Sequence, residues 1–585
     1  MLQFTILAAC LFASCKKDFL DRQPLDAEAD ETLIFTQPEM EAYANNFYQA
    51  LPGIKNGELA GGIFWLDNPS DNLVPSNINS IPLITGTLAL SNTSGWNWSG
   101  VRATNYFLQN IYKSKESPAV RLPYIGEIRF FRAMYYYDLM RRFGDLPWYN
   151  RVLEANDAGL QAPRVSRSVI CDSILADLDF AITNLKPKLS AAPQRLNRDV
   201  AIAFKARIAL YEGTWEKYHK GSAFGGSKTD EGIADYLRQA RDAAKALIDG
   251  GNYTIHSTNT VEWDYINLFN QKDLSTNKEI ILWKKFDASL QVGHSAMRYR
   301  AGGTGLSKNL VESYLDIDGK PIAVSSKYAG DRTLEDVVKN RDPRLRHMIW
   351  LPGEAVEFNS AGVNVYPFYF NWMPSGDAAK NPTGYQLFKG QIRDQLEGTL
   401  LGTGTRAEIL FRFAETMLIY AEARAELNEL NQADIDLTIN KLRKRAGMPN
   451  LLISTIITDP NWQFPGLSPI MNEIRRERRV ELAAEGFRPD DLYRWRAHHL
   501  LKGYRAKGVW AALLPKSGGK NPYTGGAAPT ITLGTNVLVG ADGYVEPFIK
   551  SLPNGFLFNE KRDYLYPIPI EELTLNTNLK QNPEW

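Results

Sequence analysis

Cysteine is scarce in this sequence: Cys10, Cys15 and Cys171 are all there are in 585 residues. No CxxC and no zinc-ligand spacing can be assembled from them, which excludes a disulfide-stapled scaffold and a zinc module. Histidine is almost as rare, at six residues. None stands in HExxH, and the adjacent His498 and His499 fall on different faces of a helix, so no metal site is expected. Net charge is nearly absent too, with 67 Lys+Arg against 66 Asp+Glu. A nucleic-acid binder would show a basic excess, so that partner is excluded. No apolar run reaches the roughly 20 residues that span a bilayer. No Ser lies in G-x-S-x-G, and Gly519-Lys520 lacks both the upstream Gly and the following Ser/Thr of a phosphate loop. Neither a cofactor nor a catalytic motif emerges. The 66 acids still leave room for a glycosidase, which needs only two placed carboxylates.

What the sequence has in quantity is aromatic residues: 13 Trp, 27 Tyr and 26 Phe. Trp and Tyr suit binding faces with one apolar and one wet side. At the N-terminus, FTILAACLFAS (4–14) has the length of a signal-peptide apolar region and ends in Phe12-Ala13-Ser14 before Cys15. This junction resembles a bacterial lipobox, although MLQ carries no positive charge ahead of it. The expected organisation is a signal peptide over 1–14, a lipidated Cys15 opening a tether over 15–37, and one composite domain over 38–585. Acylation at Cys15 would hold the protein on a membrane.

Helical periodicity dominates 38–254 and 406–503. Helices are expected at 38–51, 124–142, 166–185, 198–216, 233–249, 406–428, 431–446 and 469–485. Arg141, Arg142 and Gly144 mark one end, while Ser468 and Pro469 mark a start. The stretches 255–405 and 505–560 are rich in Gly, Pro, Asn and Asp and read as loops with a few short strands, EIILWKKF among them. Small residues at Ala414, Ala421 and Ala425 let helices approach closely, as in tetratricopeptide-type hairpins. The basic run IRRERRVELAAEG (474–486) is interleaved with Glu and reads as a charge-laced helix with i,i+3 pairs Glu473–Arg476 and Arg478–Glu481. The fold class is mainly α: a tetratricopeptide-like hairpin scaffold with a variable loop-rich part.

Several motifs then resemble one family, the SusD/RagB-like outer-membrane nutrient-binding lipoproteins. They are CKKDFLD (15–21), EIRFFRAMYYYDLMRRFGDLPW (127–148), RFAETMLIYAEARAEL (412–427), INKLRKRAGMP (439–449), IRRERRVELAAEGFRPDDLYRW (474–495) and YLYPIPIEELTLNTNLKQNPEW (564–585). The family's ending is more often Asn-Pro-Gly-Trp, and Glu584 replaces that Gly here. The resemblance implies a lipid-anchored protein on the outer face of the outer membrane. It would cap a SusC-like TonB-dependent transporter and deliver an oligosaccharide, or in some members a peptide. No catalysis is implied; a carbohydrate-active hydrolase and a lid without ligand affinity are the alternatives.

The resembling motifs are scaffold, so the ligand site has to come from the chemistry of sugars. Their C–H faces lie on aromatic rings and their hydroxyls need amide or charged partners. SGWNWSG (94–100) offers Trp96 and Trp98 around Asn97, two rings that share one face of an extended segment. The resemblance adds that the stretch before the helix near Val101 contributes to glycan binding in some members. Trp65 with Asp67 lies in an earlier loop, and Trp283, Tyr299, Trp350 and Trp372 come from the variable middle.

Overall fold

The computed structural model describes residues 35–58, 62–90, 95–296, 303–367, 373, 380–399, 401–514 and 530–585. Cys15, Tyr299 and Trp372 lie outside them. Helices of six residues or more, in chain order, are α1 (Gln37–Asn45), α2 (Ser99–Asn110), α3 (Pro118–Phe143), α4 (Arg167–Asn184), α5 (Arg198–His219), α6 (Asp230–Asp249), α7 (Val261–Phe269), α8 (Lys308–Ser313), α9 (Phe413–Glu426), α10 (Gln432–Leu437), α11 (Ile439–Arg445), α12 (Pro469–Glu481), α13 (Arg488–Arg494) and α14 (Ile570–Leu575). None of the described helices is long and apolar enough to cross a membrane.

Helix α3 shows why the pattern was readable. Pro118 occupies its first turn, Arg141 and Arg142 its last, and Gly144 ends it at φ +74°. There a side chain would be strained, so glycine is the residue that lets the chain turn. The helix starts six residues earlier than periodicity suggested, because Pro123 is accommodated inside it. Consecutive helices then pack in series, α3 on α4, α4 on α5 and α5 on α6; α6 also meets α9, and α9 meets α12. Their shared apolar core includes Phe131, Ile174, Phe204, Leu237 and Met417. A second core, with Leu306, Trp350, Phe388 and Val509, holds the loop-rich part.

Six short strands make three two-stranded antiparallel pairs among the described residues. Strand β1 (Leu73–Pro75) pairs with β3 (Thr304–Leu306), so an early loop is sewn to the middle of the chain. Strand β2 (Ile280–Lys284) pairs with β6 (Glu408–Arg412), and β4 (Ala355–Phe358) with β5 (Asn364–Pro367). The strand β6 corrects the helix expected from residue 406: Glu408–Arg412 is extended, and the helix begins at Phe413. Pairing with β2 overrides the helical propensity of that segment. The helix expected over 431–446 is likewise two, broken at Thr438.

The charge-laced helix is α12, and it lies in the interior. Glu473–Arg476 forms as an i,i+3 pair at 2.8 Å. The second expected pair does not: Arg478 turns to Asp491 at 2.9 Å, and Glu481 meets Arg445, Arg412 and Arg344. Arg412 also bonds Glu279 at 2.9 Å and Glu485 at 2.7 Å, and Lys389 bonds Glu485 at 2.6 Å. Arg344 adds Glu477 at 2.6 Å. All are buried. Charges survive at such depth only when each has opposite charges and hydrogen bonds around it, which this network supplies.

Candidate functional site

Segment 95–100 is positioned by two close approaches. A side chain on Gly95, at φ +101°, would lie 2.0 Å from the Arg142 guanidinium, and one on Gly100 would lie 2.5 Å from the Tyr135 ring. Glycine at both places lets the segment lie directly on α3. The Asn97 carboxamide accepts from the Ser99 N–H at 2.9 Å, which starts α2.

The segment alternates. Gly95, Asn97 and Ser99 line a cleft of about 520 Å³, whereas Trp96 and Trp98 pack against the scaffold. The two rings do not share a ligand-facing plane: they meet edge to face at 81°, with centroids 5.4 Å apart. Trp96 lies against Phe143, and Trp98 against Tyr136 and Tyr149. Both remain half-buried. The side the two rings share is the scaffold's, and Trp98 already adopts a near-helical backbone at the start of α2.

The polar stripe of α3 lines the cleft beside it. Tyr135, Asp138, Arg141 and Arg142 recur at helical spacing and all line the cleft. Arg141 bridges Asp138 at 2.5 Å and Asp490 of α13 at 2.6 Å. Burial works against its guanidinium, but the two carboxylates outweigh that and hold its pKa well above the ordinary value. Burial, then the Asp138 charge, raise the Tyr135 phenol, so it is a hydroxyl donor at neutral pH. Leu51, Pro52, Ile63 and Leu66 give the cleft its apolar side. The result is an apolar surface ringed by amide, phenol, carboxylate and guanidinium groups, the form expected of a small-molecule site.

The remaining candidates are structural. Trp350 is fully buried against Phe388, 4.1 Å between centroids. Trp283 is buried on β2 in a small cluster with Tyr265 and Phe269. Asp67 is fully buried and accepts from the N–H groups of Ala484 (2.8 Å) and Arg488 (3.1 Å). That bond holds Ala484 in the left-handed region, φ +58°, where α12 has just ended. Burial pushes the Asp67 carboxyl up to about 6, against the pull of those bonds. Trp65 is half-buried against the second core. Of the described candidates, then, Asn97 lines this cleft. The α3 residues were missed as site residues because their helix reads as scaffold; the signal was its polar stripe.

The arrangement of serial helices is shared with solved proteins. The profile of the SusD family matches residues 278–585, more than half of the chain. The chain belongs to the SusD family. A second profile, described as "Starch-binding associating with outer membrane", matches residues 18–210. Two SusD-like proteins of Formosa agariphila are similar. One is 22% identical over 531 residues, covering 84% of this chain and 90% of its own length. The other is 24% identical over 396 residues, covering 66% and 68%. A SusD-like carbohydrate-binding protein of Bacteroides fragilis shares the fold at TM-score 0.69 and 22% identity, with 93% of this chain and 99% of that one covered. Surface glycan-binding protein A of Bacteroides fluxus does so at TM-score 0.55 and 16% identity, with 94% and 100% covered.

Proposed function

We propose that this SusD-family protein binds an oligosaccharide at the outer-membrane surface and passes it to a SusC-like TonB-dependent transporter. Membership of the family carries the reading, and the names of its relatives, carbohydrate-binding and surface glycan-binding, give the ligand class. The cleft between segment 95–100 and α3 is its ligand site. Asn97, Tyr135 and Arg142 address hydroxyls, and the apolar side receives the C–H faces of the sugar. Catalysis is not its role. Asp138 and Asp490 are both taken up by Arg141, whereas a glycosidase turns two carboxyls on its substrate. A lipid on Cys15, outside the described residues, anchors the chain.

Calorimetric titration of the soluble protein against a panel of polysaccharides tests the reading. Binding without turnover, weakened at least tenfold by Asn97→Ala or Tyr135→Phe, is the expected result. Hydrolysis of the bound glycan would establish the enzyme reading instead. Tight association with the transporter but no glycan affinity would leave only a lid. Mass spectrometry of the native N-terminal peptide tests the anchor: an unmodified Cys15, or cleavage elsewhere, overturns it.

A further inference from the structure

A second cleft, of about 380 Å³, lies far along the sequence from the first. One wall is the arginine stripe of α12, Arg475, Arg476 and Arg479; the others are α8 with Glu312 and the irregular loop carrying Trp462 and Gln463. Most of its charges are matched. Arg476 pairs with Asp459 and Glu473. Arg479 pairs with Asp71 at 3.0 Å and bonds Asn309 at 2.8 Å. Glu312 is held by Lys308.

Arg475 is the exception. It is 97% buried, and its Nε and Nη2 find no hydrogen-bond acceptor. The nearest carboxylate, Glu426, stands 3.7 Å from Nη2 and is already engaged by Lys217 (2.7 Å) and the Tyr218 hydroxyl (2.8 Å). Aromatic rings flank the guanidinium: Trp495 at 4.2 Å, Phe464 at 4.3 Å and Tyr218 at 4.9 Å. Those faces stabilise the cation but accept no in-plane N–H bond. In the same cleft the Trp462 indole N–H also lacks an acceptor. Buried donors left unmade cost free energy, and a guanidinium fork fits a carboxylate in two parallel bonds. Amides and hydroxyls of Asn309, Ser313, Asn461 and Gln463 line the same cleft as Arg475 and Trp462 and suit a hydroxylated ring.

We propose that this second cleft binds an acidic sugar, a uronic acid residue, whose carboxylate is held by Arg475 and the Trp462 N–H and whose hydroxyls meet the polar rim. The orphan atoms are screened from bulk water in this structure. Binding therefore has to displace a covering side chain.

The test is titration of the soluble protein with galacturonate and glucuronate, and with galactose, glucose and a dipeptide as comparisons, read by calorimetry. Saturable binding of a uronate, at least tenfold tighter than its neutral counterpart and than the dipeptide, is expected. Arg475→Gln and Trp462→Phe should each weaken it at least tenfold, and the second keeps the ring, so it answers even if the first fails to fold. Asn97→Ala, in the other cleft, should leave it unchanged. Equal affinity for the neutral sugar, preference for the dipeptide, absence of saturable uronate binding, or unchanged affinity in Trp462→Phe would overturn the proposal. A uronate affinity lost with Asn97→Ala instead would assign it to the first cleft.

Discussion

Arg412, the last residue of β6, and Glu481, the last residue of α12, meet at 2.8 Å in the interior, 69 residues apart. The same guanidinium holds Glu279 and Glu485. One arginine thus pairs with three carboxylates from two segments, and removing it leaves them to Arg445, Arg344 and Lys389 alone. Arg412→Met is expected to cost about 3–5 kcal/mol, the range for breaking a buried ion pair from one side. Denaturant unfolding of the variant measures this. A loss under 1 kcal/mol would mean that water enters the network.

Glu422 gives the stability a predictable pH dependence. Burial pushes its carboxyl up, but Arg494, with Arg478 and Arg475, outweighs burial and brings it to about 2. Its folded pKa is below the unfolded value of 4.5. The folded state therefore binds this proton less readily, and the stabilisation present above pH 4.5 is lost as pH falls toward 2. The gap corresponds to about 3 kcal/mol. Unfolding curves between pH 7 and pH 3 should show the wild type losing stability faster than Glu422→Gln, with the difference between them shrinking on acidification.

Trp98 and Asn97 are neighbours with opposite roles. Trp98→Ala removes ring contacts to Trp96, Tyr136 and Tyr149 and is expected to lower stability by about 2–4 kcal/mol, somewhat less than for a fully buried ring. Asn97→Ala should cost about 1 kcal/mol through the lost Ser99 N–H bond while weakening glycan binding. Thermal melts and titrations of both variants separate the two. A stable Trp98→Ala with lost affinity would return the ring to the ligand site.

Met417 is 1% exposed in the main core. Met417→Asp places an unpaired charge among apolar side chains and is expected to exceed about 4 kcal/mol, enough to abolish cooperative unfolding at ambient temperature. A melt like the parent's would displace this face of α9 from the core.

Helix ends were legible where they carry chemistry: Arg141, Arg142 and Gly144 for α3, Ser468 and Pro469 for α12. Strand β6 was not, since residues 408–412 continue a helical pattern and only their partner, 124–132 residues earlier in the chain, makes them extended. The candidate site was legible in part. The loop 95–100 was legible from its Gly, Ser and Asn content, but its packing on α3 decides which of its sides lines the cleft, and alternation alone does not tell the two sides apart. Aromatic residues of the middle region misled for a related reason. A Trp such as Trp350 looks the same in sequence whether it fills a core or meets a ligand.

The interior charges also bear on the order in which the chain can fold. Contacts among α3, α4, α5 and α6 join neighbours in sequence and close early, at small loop entropy. The Arg344–Glu477 contact spans 133 residues and the Asp71–Arg488 contact 417. Until α12 and the residues just after it arrive, Lys389 and Asp71 lack the opposite charges they are buried against, and Arg344 has only Asp342. Docking of the loop-rich part onto the helices is therefore a late step, gated by a segment near the end of the chain. A refolding trace should show helix signal rising well before the second core's Trp350 becomes shielded.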